Sequence, residues 1–125
     1  MMSEFWPTGI RVSKDRQTLT VDFNDDAAYA LSAELLRVLS PSAEVQGHGP
    51  GQKLTVPGKR NVAIVSVQPT GNYAVRIGFD DGHDTGIYTW SYLRELGERG
   101  AALFADYERE LAGKGMSRDV GAKPR

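Results

Sequence analysis

Cysteine is absent from this chain. That absence removes disulfides, thiolate nucleophiles, cysteine-held zinc fingers and cysteine-ligated iron–sulfur clusters together. Any metal the protein held would be ligated through nitrogen and oxygen. Histidine is scarce too, with two in 125 residues, His48 and His83. No segment approaches the roughly 18 consecutive apolar residues of a membrane span, and residues 1–6 lack the basic start and apolar run of an export signal. Membrane insertion and export are therefore not expected, and cytoplasmic residence follows. Neither sign of charge dominates: 15 basic against 16 acidic residues leave a formal net charge of -1. Nucleic acid is a poor partner for such a surface, because non-specific binding to phosphates needs a broad positive field.

What remains has the composition of one globular domain, 40% hydrophobic and 25% charged, long enough to bury a core without disulfide or metal staples. Alternation predicts strands at 9–12 and 18–23, with Leu19, Val21 and Phe23 on one face. Asn24-Asp25-Asp26 reads as a turn and 29–31 as a returning strand. Ser32 reads as the N-cap of a helix over 33–39 that turns Leu35, Leu36 and Leu39 inward. Residues 40–59 are interrupted by Pro41, Gly47, Gly49, Pro50, Gly51, Pro57 and Gly58. They predict a long loop with a brief edge strand at 54–56. A hairpin follows, 61–67 and 73–79 around the turn Pro69-Thr70-Gly71-Asn72. A short strand at 87–88 leads into a helix carrying Leu93, Leu96, Phe104, Tyr107 and Leu111, with Gly97 and Gly100 predicting a break or bend. No internal repeat is present. The organisation expected is a domain over 7–112 and a disordered basic tail over 113–125.

Chemistry-bearing residues gather in two places. The run Asp80-Asp81-Gly82-His83-Asp84 sets an imidazole among three carboxylates in an Asp-Gly turn, which predicts a displayed His83. Ser40, Ser42, Glu44, His48 and Lys53 occupy the glycine-rich loop. The loop is no Walker A sequence, since neither a glycine before Lys53 nor a Ser or Thr after it is present. His48 and His83 with Glu44, Asp80, Asp81 or Asp84 suit a two-histidine, one-carboxylate metal site. A turn histidine capped by a neighbouring aspartate accounts for His83 without an ion. No nucleophile motif surrounds Ser40, Ser42, Thr85 or Thr89. Tyr88, Trp90 and Tyr92 read first as packing between helix and sheet, with a ligand cage as the second reading.

The blocks Leu35-Leu36-Arg37, Ser40-Pro41-Ser42-Ala43-Glu44, Pro57-Gly58-Lys59-Arg60, Gly71-Asn72-Tyr73-Ala74 and 79–88 follow one another in an order that resembles the small bacterial family related to the gamma-butyrobetaine hydroxylase N-terminal domain. The resemblance runs from about Pro7 to Leu111. It implies kinship with the N-terminal portion of carnitine-pathway dioxygenases and with a domain appended to some P-loop ATPases that carry iron–sulfur clusters. In the dioxygenases that domain holds a structural zinc through three cysteines and a histidine. The resemblance sets Ser40, Ser42 and Val45 at the cysteine positions and His83 at the histidine, so the inherited zinc ligands are lost apart from His83. The catalytic iron and 2-oxoglutarate residues belong to a separate domain for which this chain has no room.

The expected fold is α+β, a mostly antiparallel twisted sheet of about six short strands with helices packed on one face. The expected role is a non-catalytic module that recognises a partner protein or small ligand. Its contacts would come from the 40–53 loop and 81–86 turn: Ser40, Ser42, Glu44, His48, Lys53 and His83. Iron or zinc, if bound, would fall to His83, His48, Asp81 and Asp84. The alternative is an accessory factor in iron or iron–sulfur metabolism, associated with cluster-assembly components. A stand-alone enzyme would need a deep pocket with His83 in reach of a second titratable group.

Overall fold

In the computed structural model, residues 4–47 and 51–119 are described. The first half of the chain alternates as its sequence predicts. Strands β1 (Pro7–Val12), β2 (Thr18–Phe23) and β3 (Ala28–Ser32) pair antiparallel in that order. The odd residues of β2, Leu19, Val21 and Phe23, are all buried. Ser32 closes β3 and caps helix α1 (Ala33–Val38), its hydroxyl accepting the Leu35 N–H at 3.0 Å. Leu35, Leu36 and Leu39 then enter the core.

The second half repeats the plan. Strands β4 (Ile64–Thr70), β5 (Ala74–Phe79) and β6 (Gly86–Thr89) form another antiparallel three-stranded sheet in that order, and Thr89 caps helix α3 (Trp90–Gly113). The fold is α+β, with the six strands divided between two small sheets. The Ile64 N–H donates to the Arg16 carbonyl at 2.8 Å, linking the two halves. A single core draws Val21 and Leu31 from one sheet, Ile64 and Ile77 from the other, Leu36 from α1, and Leu93 and Leu96 from α3.

Several expectations change at element boundaries. The 40–59 loop contains a one-turn helix, α2 (Ala43–Gln46), capped by Ser42. Residues 54–56 form no strand; Leu54 instead donates its N–H to the Val45 carbonyl at 2.7 Å. Pro69 lies inside β4, which is compatible with its position on an edge strand that needs no outward N–H. Gly97 and Gly100 do not break α3. A Cβ on Gly97 would fall 2.4 Å from Tyr29 Cγ, so this glycine serves close helix–strand packing. Part of the expected 113–125 tail packs against the domain. Residues 117–119 fold back: Gly58 and Arg60 donate backbone N–H groups to the Ser117 and Arg118 carbonyls, and Arg118 pairs with the buried Glu34 carboxylate at 2.6 and 2.8 Å. Residues 120–125 lie outside the described residues.

Candidate functional site

The β5–β6 turn and the segment after α1 meet through side chains more than forty positions apart. Gly82, with φ 91°, allows the chain to reverse, and the Phe79 N–H closes the turn on the His83 carbonyl at 2.9 Å. This closure carries the His83 side chain inward. His83 is 8% exposed, which corrects the expectation of a displayed residue. An Asp-Gly signal locates the turn but does not say on which side the next side chain falls.

His83 Nε2 lies 2.9 Å from Ser40 Oγ, and Ser40 is completely buried. The Ser40 hydroxyl also accepts the Ser42 N–H at 3.2 Å. Outward from this pair, Ser42 Oγ bonds Thr85 Oγ1 at 2.8 Å, and Thr85 donates to Glu44 Oε1 at 2.5 Å. Gly86 leaves the room that Ser40 occupies, since a Cβ there would fall 2.4 Å from the serine oxygen. Behind the network, the buried Tyr88 hydroxyl donates to the Leu36 carbonyl, and Tyr92 donates to that of Leu39 at 2.5 Å.

Electrostatics tie the turn down on its other side. Asp81 accepts from Arg37 Nε at 2.7 Å and Lys59 Nζ at 2.5 Å, while its second oxygen takes the His83 N–H at 3.0 Å. Burial pushes this carboxyl up, but the hydrogen bonds from Lys59, the His83 backbone and Arg37 outweigh it and hold it at about 2. Burial also lowers the His83 pKa, with the Arg37 charge acting in the same direction against Glu44, Asp81 and Asp84. The imidazole is therefore neutral at pH 7.

A serine and a histidine at 2.9 Å have the spacing of a nucleophile and its base. Ser40 has no solvent exposure, so a substrate carbonyl has no approach to it. The pair acts as an internal fastening. Among the residues expected at a metal site, His83 is spent on Ser40, and Asp81 on Arg37 and Lys59. Asp84 is exposed, and His48 lies outside the described residues. No three His, Asp or Glu side chains converge among the described residues. Of the expected contact residues, Ser40 and Ser42 are buried with His83, whereas Glu44 and Lys53 are exposed.

Sequence reading missed the partners of Asp81. Arg37 and Lys59 stood in two of the ordered blocks, but nothing in one sequence pairs them with a carboxylate in a third. It also missed an open groove of about 1010 Å³ away from the turn, walled by Trp6, Ile10, Tyr73, Val75, Thr89 and Trp90 among others. Trp90 is half-buried, packs against the core and donates its indole N–H to the Asn72 carbonyl at 3.0 Å.

These features define a small α+β domain whose polar cluster is built for positional order. The chain belongs to the gamma-butyrobetaine hydroxylase-like, N-terminal family, whose model matches residues 10–94. No curated protein matches it. One similar solved structure, determined by NMR in solution, is 50% identical, covers 94% of this chain and 93% of its own, and superposes with a TM-score of 0.81. A second NMR structure is 39% identical over 100% and 98% of the two chains, with a TM-score of 0.79. A crystal structure of a protein of unknown function from Acidithiobacillus ferrooxidans, assigned to the DUF971 family, is 41% identical. It covers 73% of this chain and 91% of its own, with a TM-score of 0.60. No described helix is long and apolar enough to cross a membrane.

Proposed function

We propose that this chain is a non-catalytic recognition module that engages a partner protein or small ligand through the rim shared by the 40–53 loop and the 81–86 turn. The observation that carries this reading is the fastening of the two segments by Ser40–His83, Ser42–Thr85 and Glu44–Thr85, with Arg37 and Lys59 clamping Asp81. Preorganised surfaces bind with less ordering cost than mobile loops. Glu44 and Thr85 stand exposed beside the fastened pair, and Lys53 and Asp84 are exposed in the same two segments, which offer charges of both signs to a polar partner. A metal ion would reach His83 Nε2 only by displacing the Ser40 hydroxyl.

The test is affinity capture from the cytosol of the source cells, using the intact tagged chain and a Glu44→Ala, Lys53→Ala, Asp84→Ala variant. Loss of one reproducible partner or ligand in a variant that keeps its amide NMR spectrum supports the rim. Undiminished capture by that variant overturns it.

A further inference from the structure

The groove beside β1 has a property that a general apolar hollow lacks. Successive side chains of a strand point to opposite faces, yet Gly9 and Ile10, consecutive in β1 beyond the register shift between Pro7 and Gly9, both line this one groove. A strand contributes consecutive residues to a single hollow when it turns its edge to it. β1 is the outer strand of its sheet, with β2 on one side and no strand on the other among the described residues.

The register identifies which backbone groups face that free side. The Ser13 N–H donates to the Thr18 carbonyl, and the ladder continues through Val12↔Leu19, Arg11↔Thr20 and Ile10↔Val21. In an antiparallel ladder bonded and non-bonded pairs alternate. The Ile10 and Val12 N–H and C=O groups therefore point away from β2, toward the open side.

Across the hollow stand the rings of Tyr73 and Trp90, and Trp6 closes the end of β1. Trp6 is 53% and Tyr73 56% exposed, so aromatic surface lies open at this hollow. No lining side chain carries a charge among the described residues.

We propose that the outer edge of β1 accepts an extended peptide segment of a partner protein as an added strand. Its alternate side chains, apolar or aromatic and uncharged, would drop between Trp6, Ile10, Tyr73 and Trp90. The outward Ile10 and Val12 groups supply main-chain hydrogen bonds and the aromatic walls supply side-chain selection, the two components of recognition by strand addition. The uncharged lining selects against segments with Lys, Arg, Asp or Glu at the inward positions, because such a charge would be desolvated without a partner. This surface is separate from the rim proposed above, so each can fail without the other.

The experiment uses the full chain, isotope-labelled, and an array of capped octapeptides whose alternate positions are drawn from valine, leucine, phenylalanine and tyrosine, with threonine between them. Binders from the array should produce saturable amide shifts confined to residues 6–12, 73 and 89–91, and should slow exchange of the Ile10 and Val12 amides. Ile10→Pro removes an outward N–H while leaving the bonded pairs with β2 intact, and should abolish binding. Trp6→Ala and Tyr73→Ala, at exposed side chains, should weaken it about tenfold and retain the folded spectrum. Charged residues at the inward peptide positions should also abolish it. The proposal is overturned if no peptide of the array binds, if the shifts map elsewhere, or if N-methylation of the peptide backbone leaves binding unchanged. Concentration-dependent protection of Ile10 without peptide overturns it too, since a second copy would then cover the edge.

Discussion

A neutral imidazole sealed against a buried serine makes the fold sensitive to mild acid. The unfolded chain takes up the His83 proton near its ordinary pKa of 6.5, while the folded protein resists it to lower pH. Above 6.5 both states are neutral and the fold keeps its full stability. As pH falls below 6.5, the unfolded state gains the proton first and stability declines until the folded histidine also charges. Asp81 titrates in a different window. Its folded pKa of about 2 lies below the ordinary 3.8, so its contribution is present above 3.8 and is lost as the pH falls from there toward 2. Urea midpoints measured against pH should show both declines, with His83→Gln flattening the first and Asp81→Asn the second. A wild-type curve level from pH 7 to 5 would contradict the buried neutral histidine. Ser40→Ala should cost about 1–3 kcal/mol at pH 7, because it leaves the imidazole nitrogen and the Ser42 N–H without their buried partner. Glu44→Ala, on the exposed rim, should stay within about 0.5 kcal/mol. Urea denaturation of the two variants checks the contrast.

Within α3, two glycines three positions apart have opposite surroundings. Alanine in place of glycine ordinarily stabilises a helix interior by about 1 kcal/mol. At Gly100 the nearest atom to an added Cβ is Leu35 Cδ2 at 3.5 Å, an ordinary contact, so Gly100→Ala should stabilise by about 0.5–1 kcal/mol. At Gly97 the added methyl would meet the Tyr29 ring at 2.4 Å, and Gly97→Ala should destabilise by about 1–3 kcal/mol as β3 and α3 are forced apart. Equal midpoints for the two variants would contradict the packing of α3 on β3. The same helix shows what the sequence makes legible. The spacing of Leu93, Leu96, Phe104, Tyr107 and Leu111 announces a helical face, and the alternation of Leu19, Val21 and Phe23 announces β2, because both patterns are local. Whether a helical glycine marks a bend or a close approach depends on Tyr29, nearly seventy positions away, and no local pattern carries that. The division of six strands into two sheets is hidden for the same reason, since the Arg16–Ile64 link joins residues whose neighbourhoods are indifferent to one another.

At the scale of the whole molecule, the polar site and the chain terminus depend on contacts made across the fold. The meeting of the 40–44 segment with the 83–85 turn was legible as two loops rich in serine, histidine and carboxylate. Which groups close the network and which stay on the rim was not, because that follows from how α1 and β6 bury their ends. Glu34 is 5% exposed, and its charge is balanced by Arg118, contributed from beyond α3 and lying over the Phe104 ring. Nothing in the polar composition of residues 113–119 announces this clasp, which exists because one carboxylate of α1 is buried. A chain ending at Met116 loses the Arg118 guanidinium and the backbone bonds from Gly58 and Arg60. It should lose about 2–3 kcal/mol, at the lower side of the cost of orphaning a buried charge because Arg118 is itself 25% exposed. Glu34→Gln in the truncated chain should recover part of that loss, since the orphaned charge is then gone, whereas in the full-length chain it should destabilise by breaking the pair. Urea unfolding of the four proteins, followed by tryptophan fluorescence and by helical circular dichroism, measures the reversal of sign. If truncation leaves the midpoint unchanged, or if Glu34→Gln has the same effect in both backgrounds, the clasp between the terminus and α1 does not contribute to folding.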